Sequence, residues 1–375
     1  MTPEVRKRGI LENPDYQTPL KSVQTYNAYD VNFTGNNGLN PTIIGGEMDT
    51  LIRDDGTLPY GYHHNPVGEL NFLDFDLRTA FGSRRSSLYK RVKFNRFNFV
   101  GFMADEFLAG VAVVDLGLIK NGFAYHFDRK TGVLTETSVL TPFRATIRPT
   151  PDTPMSRINT SSLALTISET GVDCRTDTFS LKAEFTAPHP APLRVASRTG
   201  YRGWTYTDKR SPVSVKGTFS VNGTTTEIAS PHVLALTDWS AGYMRRNTFW
   251  SWASSAAVLA DGRPFGMNLA AGVNETGFTE NMIWIDGAPV HIGPVHFDYR
   301  DNDTTTPWRI TSMDGIIDLT FTPEGHREEK VNALVMGSLF TQLCGSFTGT
   351  VTPPGADPVP VTNAPGFCED HFARW

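Results

Sequence analysis

Short runs of alternating apolar and polar residues, each beside a turn-forming pair, recur along the whole chain. Ile317, Leu319 and Phe321 alternate with polar residues directly after the Asp-Gly pair at 314–315, and a similar run leads into Asn-Gly at 222–223. Alternation of this kind places every second side chain on one face of a strand, and such pairs favour tight hairpin turns. The pattern predicts an all-β chain of antiparallel hairpins in barrels or sandwiches, because both arrangements protect strand edges.

Helical signal is sparse and is strongest at residues 77–92. This stretch spaces its apolar residues loosely along one helical face and carries several arginines and lysines. We interpret it as a solvated helix or hairpin flank. A second interpretation is peripheral contact of residues 84–96 with an anionic membrane, since basic amphipathic segments bind such surfaces.

Prolines indicate how the chain is divided. Three prolines between residues 186 and 192 disfavour regular structure and predict a linker. The length of 375 residues corresponds to about two domains of roughly 150 residues each. The predicted organisation is an extended arm at 1–22, a first barrel at 23–190 and a second barrel at 191–375.

Composition excludes several classes of function. The chain has 34 Lys and Arg against 39 Asp and Glu, a formal net charge of −5, so general electrostatic binding of nucleic acid is not expected. Three cysteines without CxxC spacing indicate neither a disulfide framework nor a zinc site. The first residues are polar and lack the apolar core of a signal peptide. We expect a cytoplasmic protein without a membrane span.

The usual motifs for cofactors and nucleophiles are not found. The sequence contains no GxxxxGK[ST] phosphate loop, no GxGxxG after a strand, no HExxH and no GxSxG elbow. We therefore expect no cofactor and no metal ligand.

Two tryptophans mark the most aromatic part of the chain. Trp250 and Trp252 lie two residues apart, so a strand here projects both indoles from one face. They either fill a barrel interior or form the wall of a ligand cavity. Asn268, Glu280 and Asn281 on the following predicted strands favour the cavity, because buried polar groups need hydrogen-bond partners.

Seven short segments carry a family resemblance: TYTDK at 205–209, DWSAG at 238–242, FWSWA at 249–253, TEN at 279–281, WR at 308–309, DLTFTPE at 318–324 and GFCEDHFARW at 366–375. They resemble a bacterial family of unknown function, the domain-of-unknown-function 2804 family. That family is a distant relative of the lipocalin-like carotenoid hydratases, the hydroxyneurosporene synthases, and of related fungal cyclases. The resemblance implies two consecutive lipocalin-like, calycin-type antiparallel β-barrels with few helices and a cavity for apolar substrates. In the hydratases it implies acid catalysis without a metal or organic cofactor.

The residues and the resemblance together define an expected site. Asp238, Trp239 and Gly242 are similar to an Asp-His-x-Trp-Gly stretch that lines the cavity in the wider group, with Trp239 in place of the histidine. The expected catalytic residues are Asp238, Tyr243 and His371, and the expected ligand-binding residues are Trp239, Arg245, Trp250, Trp252, Asn268, Glu280 and Asn281.

Asp238 has two interpretations. In an apolar pocket, burial disfavours the charged carboxylate, so Asp238 stays protonated and acts as an acid, with nearby aromatic faces stabilising carbocation character. Alternatively, Asp238 caps a turn or pairs with Arg245 or Arg246, which lowers its pKa and removes the acid role.

Two further expectations concern neighbouring groups. Alternation near the C-terminus places Glu369 and His371 on the same strand face, where they can approach each other. Lys209 is expected to be solvated at a strand end, or to have a lowered pKa if it points into a dry cavity.

Three functions follow from these expectations. The leading hypothesis is a cofactor-independent enzyme, a hydratase-like lyase or an isomerase or cyclase. It would act on an isoprenoid, lipid or polyketide-like molecule by acid-assisted hydration or dehydration, isomerisation or cyclisation. The second is a carrier or sensor of lipid-like ligands, because lipocalin-like barrels bind more often than they catalyse. The third is a structural interaction protein with a filled barrel interior. The expected partner is a hydrophobic small molecule, and the protein is expected to be a monomer or homodimer.

Overall fold

The all-β architecture expected from the alternating pattern is confirmed. The computed structural model describes residues 43–46, 48–273, 277–332 and 337–374. The predicted arm at 1–22 lies outside these residues. Within the described ranges there is a single helix, and nearly all other regular structure is β-strand in two curled, barrel-like sheets. Hairpins account for this architecture, because almost every strand pairs antiparallel with a neighbour.

The first part of the fold contains sixteen described strands and the helix. They are β1 (Ile43–Ile44), β2 (Met48–Thr50), β3 (Gly61–His63), β4 (Val67–Glu69), α1 (Ser87–Lys93), β5 (Asn95–Ala104), β6 (Phe107–Asp115), β7 (Lys120–Asp128), β8 (Val133–Thr141), β9 (Ala145–Ile147), β10 (Met155–Asn159), β11 (Leu163–Ser168), β12 (Gly171–Thr176), β13 (Phe179–Thr186), β14 (Leu193–Thr199), β15 (Gly203–Val221) and β16 (Thr224–Gly242).

Fourteen of these strands form the first sheet, in the order β8-β7-β6-β5-β16-β15-β13-β12-β11-β10-β9. Strand β14 pairs with β15 and β3, and β3 pairs in parallel with β1. Strands β2 and β4 form a separate parallel pair. The inner face of the first sheet encloses a core that includes Phe102, Trp204, Tyr206 and Trp239.

The second sheet has nine described strands in the order β20-β19-β18-β17-β25-β24-β23-β22-β21. Its core includes Phe265, Trp308, Phe321 and Phe347. The strands are β17 (Asn247–Val258), β18 (Pro264–Ala271), β19 (Met282–Ile285), β20 (Ala288–His291), β21 (Val295–Asp298), β22 (Trp308–Ser312), β23 (Ile317–Asn332), β24 (Gly337–Val351) and β25 (Val359–Arg374).

The proline-rich segment at 186–192 connects two strands of one sheet. Strand β13 ends at Thr186 and β14 begins at Leu193, and both strands pair with β15. The chain passes from the first sheet to the second between Gly242 and Asn247. The domain limits at 22/23 and 190/191 stay predictions.

Helix α1 occupies the basic stretch singled out in the sequence. Its N-cap is Ser86, whose hydroxyl accepts a 3.2 Å hydrogen bond from the Tyr89 N–H. None of its residues is buried, and Leu88 is exposed. Membrane contact through 84–96 stays a prediction. In the described ranges, none of the helical structure has the length and apolar character needed to cross a bilayer.

The outer face of the first sheet packs against the second sheet through aromatic side chains. The Phe99 ring lies 6.1 Å from the Trp252 ring and 6.2 Å from the Phe367 ring, measured between centroids. A Cβ on Gly101 would lie 2.9 Å from Cε2 of Phe367, so glycine permits this close approach. Successive residues of β5 therefore contribute to two different cores, because side chains alternate along a strand.

Candidate functional site

A cavity of about 200 Å³ lies between the two sheets, and Phe99 and Trp252 of their shared aromatic contact help to line it. Strands β5, β7 and β16 contribute one wall, and β17, β24 and β25 contribute the opposite wall. Its apolar surface comes largely from six aromatic side chains, which are Phe97, Phe99, Phe123, Trp250, Trp252 and Phe340. Because the cavity is between the sheets, neither barrel interior alone forms it.

The two tryptophans of β17 both line the cavity, as their spacing predicts. Trp252 Nε1 donates a 2.8 Å hydrogen bond to Asn268 Oδ1, and Trp250 Nε1 donates a 2.8 Å hydrogen bond to Glu369 Oε1. Both indole N–H groups are therefore satisfied by side chains of neighbouring strands. This pairing fixes the ring orientations and leaves apolar ring surface at the cavity.

One ammonium and two carboxylates meet in the cavity wall, and we call this group the Lys209 cluster. Lys209 Nζ lies 2.8 Å from Asp238 Oδ2 and 2.9 Å from Glu280 Oε2. The Lys209 side chain is only 6% exposed. Ser240 Oγ donates a 3.0 Å hydrogen bond to Asp238 Oδ1. Glu280 precedes β19 of the second sheet, so its ion pair joins the two halves of the cavity.

Burial and charge act in opposite directions on the Lys209 cluster. Burial raises the pKa of Asp238, and the repulsion from Glu280 adds to this, while Lys209 and Ser240 oppose it without reversing it. Burial alone would lower the pKa of Lys209, but Asp238 and Glu280 outweigh that effect and raise it. The expected lowering of the Lys209 pKa is therefore wrong, because two carboxylates face this amine. With two acids for one base, a proton on Asp238 makes the buried cluster neutral.

A second polar group lies on the wall formed by the second sheet. Glu369 Oε2 accepts a 3.0 Å hydrogen bond from Gln342 Nε2, and His371 Nδ1 lies 3.6 Å from Glu369 Oε1. His371 Nε2 is 3.0 Å from Ser338 Oγ, and its ring packs 4.2 Å from that of Trp250. Glu369 and His371 thus share one face of β25 and approach each other, as alternation predicts.

Comparison with known proteins identifies the family. Residues 46–375 match the family described as "Domain of unknown function (DUF2804)". The chain belongs to this family. The membership expected from the seven sequence segments is confirmed. No curated protein sequence matches this DUF2804 chain.

Two crystal structures of CghA share the fold of the DUF2804 chain at low sequence identity. The crystal structure of CghA with Sch210972 has a TM-score of 0.51 and 9% identity, and the match covers 87% of this chain and 97% of that one. A second crystal structure of CghA has a TM-score of 0.52 and 9% identity, and the match covers 86% of this chain and 95% of that one. Kievitone hydratase from Nectria haematococca has a TM-score of 0.42 and 11% identity, with 75% and 89% covered. At these identities the likeness to CghA concerns the fold alone.

Two of the expected site residues of this DUF2804 protein lie in the core of the first sheet. Trp239 follows Asp238 on β16 and therefore projects to the opposite face, beside Tyr206. Tyr243 donates a 2.8 Å hydrogen bond from its hydroxyl to the Phe72 carbonyl oxygen and packs against Trp204. The structure does not bring either residue to the cavity.

The other expected residues have supporting positions. Asn268 does not line the cavity, but it holds Trp252 and donates a 2.6 Å hydrogen bond to the Glu280 carbonyl oxygen. Asn281 joins backbone segments through the Ala270 N–H and the Gly293 carbonyl oxygen. Arg245 donates to the Gly272 carbonyl oxygen at 3.0 Å. Asp238, Trp250, Trp252, Glu280 and His371 are the expected residues that line the cavity.

Several polar residues of the cavity wall were missed by the sequence analysis, and Gln342 and Arg327 are two of them. Gln342 is buried and is the single amide side chain of β24, which is a signal that could have identified it. Arg327 is buried too, but it lies in the charged run HREEK of β23, where nothing distinguishes it from solvated neighbours. Among the residues that the structure describes, no group of three or more His, Cys, Asp or Glu side chains could hold a metal ion.

Proposed function

We propose that this protein is an enzyme that acts on a small hydrophobic molecule by acid-assisted chemistry, with Asp238 as the proton donor. Hydration or dehydration, isomerisation and cyclisation of an alkene or carbonyl compound all begin with such a proton transfer. No organic cofactor takes part in this proposal.

The observation that carries this proposal is a carboxyl group with a raised pKa in the wall of an aromatic cavity. Asp238 is buried and shares a single ammonium group with Glu280. A buried carboxyl group whose pKa is raised keeps its proton to higher pH than an exposed one, which suits it to general acid catalysis. Lys209 stabilises the carboxylate that remains after the proton has left, because its ammonium stays 2.8 Å away.

The aromatic wall supports the step that follows protonation. When Asp238 gives its proton to a substrate double bond, positive charge develops on carbon. The faces of Trp250 and Trp252 stabilise such charge, and this attraction is stronger where water is excluded. The cation then takes up water or loses a proton. His371 lies in the cavity wall beside Ser338 and Glu369, and in this proposal its imidazole accepts that proton.

The size of the cavity limits the substrate. Its volume of about 200 Å³ is below the roughly 300–1,000 Å³ of sites that hold drug-sized ligands. We therefore propose compact substrates with a predominantly hydrocarbon body, such as short isoprenoid alkenes and enones.

The test is solvent deuterium incorporation. The protein is incubated in D₂O with a panel of monoterpene alkenes and enones, and mass spectrometry detects deuterated substrate, isomers and water adducts. Asp238→Asn is expected to abolish incorporation. Asp370→Asn is the matched control, because Asp370 is half-buried with its pKa raised by burial, but lies outside the cavity wall.

Three outcomes separate the functions. Incorporation that is lost in Asp238→Asn and kept in Asp370→Asn supports the acid role. Equal incorporation in wild type and Asp238→Asn removes Asp238 as the donor. Tight binding of panel members without any incorporation would instead favour a carrier, since a carrier needs the apolar cavity but no proton donor.

A further inference from the structure

Arg327 is a buried cation in the cavity wall that the proton-transfer scheme above does not use. Its side chain is 2% exposed and lies on β23. Three aromatic rings surround the guanidinium carbon, with centroid distances of 4.3 Å to Phe123, 4.8 Å to Phe340 and 5.0 Å to Tyr125. Such packing holds a guanidinium in one orientation and shields it from water.

The hydrogen bonds of this guanidinium are incomplete. Nε donates to Glu136 Oε1 at 3.1 Å, and Nη2 donates to the same oxygen. Within the part of the chain that the structure describes, Nη1 has no hydrogen-bond acceptor, whereas the side chain lines the cavity. An unused charged donor at a largely apolar cavity is costly unless a ligand or water accepts its hydrogen bond.

The charge balance around the cavity argues against an anionic ligand. Each of its three lining cations already has a carboxylate partner: Arg96 pairs with Asp115, Lys209 with Asp238 and Glu280, and Arg327 with Glu136. A ligand carboxylate would add a buried charge without a counter-ion of its own, which is strongly unfavourable. A neutral oxygen acceptor meets the need of Nη1 without this cost.

We propose that Arg327 Nη1 binds a neutral carbonyl oxygen of the substrate, so that the protein selects ketones, aldehydes or esters over hydrocarbons and carboxylates. This assignment rests on the proposed function, because it concerns the substrate of the same cavity. The guanidinium positions the carbonyl end, while the aromatic wall holds the hydrocarbon body.

Binding of a matched pair of probes tests the assignment. Benzalacetone carries a neutral conjugated ketone, and 1-phenyl-1-butene has nearly the same shape without the oxygen. Dissociation constants are measured by quenching of tryptophan fluorescence for wild type, Arg327→Met and Arg129→Met. Arg129 is the control, since it is likewise paired with a carboxylate, Glu324 of β23, but does not line the cavity.

The expected result is selective. A hydrogen bond to a charged group contributes about 1.5–3 kcal/mol, so Arg327→Met should weaken benzalacetone binding by about 10- to 100-fold. Its binding of 1-phenyl-1-butene should change little, and Arg129→Met should leave both unchanged. Equal losses for the two probes in Arg327→Met, no loss for either, or no ketone binding by the wild type at millimolar concentration would overturn the proposal.

A second variant keeps the test informative if Arg327→Met does not fold. Glu136→Gln removes the partly exposed partner carboxylate and leaves the guanidinium uncompensated. We expect this variant to bind cinnamate, the carboxylate analogue of benzalacetone, whereas the wild type prefers benzalacetone. Tighter binding of cinnamate than benzalacetone by the wild type would overturn the choice of a neutral ligand.

Infrared spectroscopy reports on the hydrogen bond directly. The stretching band of ¹³C-labelled carbonyl in bound benzalacetone should lie at lower wavenumber in the wild type than in Arg327→Met. Asp370→Asn is the control and should keep both the band position and the affinity, because Asp370 lies outside the cavity wall. Suppose that Asp238→Asn loses turnover, but the carbonyl band has the same position in Arg327→Met as in the wild type. The role of Arg327 would then be rejected, and the proposed function would stand.

Discussion

Two buried charge clusters next to the first sheet have opposite compositions. The Lys209 cluster has two carboxylates and one ammonium, whereas Asp115 is a single carboxylate between two cations, Arg96 at 3.0 Å and Lys120. We call the latter the Asp115 cluster. Both aspartates are nearly inaccessible to solvent. Their surroundings, and not their burial, therefore distinguish them.

The difference lies in the balance of charge within each cluster. Two cations lie beside the single carboxylate of Asp115, and the Gly117 N–H donates a 2.9 Å hydrogen bond to it. Two carboxylates beside one cation leave the Lys209 cluster with excess negative charge when all groups are ionised. The structure thus offers one aspartate suited to anchoring strands and another suited to holding a proton.

The largest expected effect is on catalysis by Asp238→Asn. An amide cannot release the proton that the carboxyl group provides, and general acid catalysis typically contributes about 10² to 10⁴ in rate. Turnover of any substrate found in the deuterium screen should fall by that factor, while Asp115→Asn should leave the rate within a few-fold. Comparable rate losses in the two variants would mean that the clusters do not differ in function.

The second-largest expected effect is a loss of stability in Lys209→Met. This change leaves two buried carboxylates without a cation, and breaking a buried ion pair typically costs about 3–5 kcal/mol in the free energy of unfolding. Urea unfolding at neutral pH measures it. The loss should shrink as the pH is lowered, because protonation of Asp238 removes its repulsion with Glu280. A loss independent of pH would point to packing alone.

The pH dependence of turnover sharpens the comparison further. Asp238 acts as a donor only while protonated, so activity should decline as the pH rises through its raised pKa. Glu280→Gln removes the neighbouring negative charge, which lowers the pKa of Asp238, and the decline should move to lower pH. Asp115→Asn serves as the control and should leave the position of the decline unchanged. An unshifted profile in Glu280→Gln would show that another group governs it.

Linkage gives the accompanying change in stability. Between its ordinary pKa and its raised folded pKa, Asp238 binds more protons in the folded state than in the unfolded state, so stability falls as the pH rises through that window. Asp238→Asn lacks this contribution. Its free energy of unfolding should therefore decline less steeply with pH than that of the wild type, as measured by urea titrations at several pH values.

The smallest expected effect is on stability in Lys120→Met. Lys120 is 16% exposed, and Asp115 keeps Arg96 as a second cation. A partly exposed pair with a remaining partner typically contributes about 0.2–1 kcal/mol. Urea unfolding should show a loss in this range. A loss as large as that of Lys209→Met would mean that the two clusters depend equally on each of their cations.

Period-two alternation predicted much of this molecule. It identified the hairpins, placed Trp250 and Trp252 on one face and brought Glu369 next to His371. The same rule contained a further signal, since Asp238 and its neighbour Trp239 must project to opposite faces of β16. The family resemblance assigns both residues to one site, whereas strand geometry separates them.

Other features depended on contacts between distant segments. Whether Asp238 is an acid depends on its cation, and that partner is Lys209 on the adjacent strand together with Glu280 from the second sheet. The sequence does not distinguish Arg327 from its charged neighbours, because a charged run on a strand has the same pattern whether its side chains face solvent or pack against aromatic rings.

The sequence by itself determined the all-β class, the positions of its turns and the family, because these depend on local side-chain periodicity and on motifs. The location of the cavity was decided only by the tertiary structure. The cavity lies between two sheets whose facing residues are far apart in the chain, and the protonation of Asp238 depends on charges and burial that those sheets bring together. Desolvation and Coulomb interactions act through space, so the order of residues along the chain does not specify them.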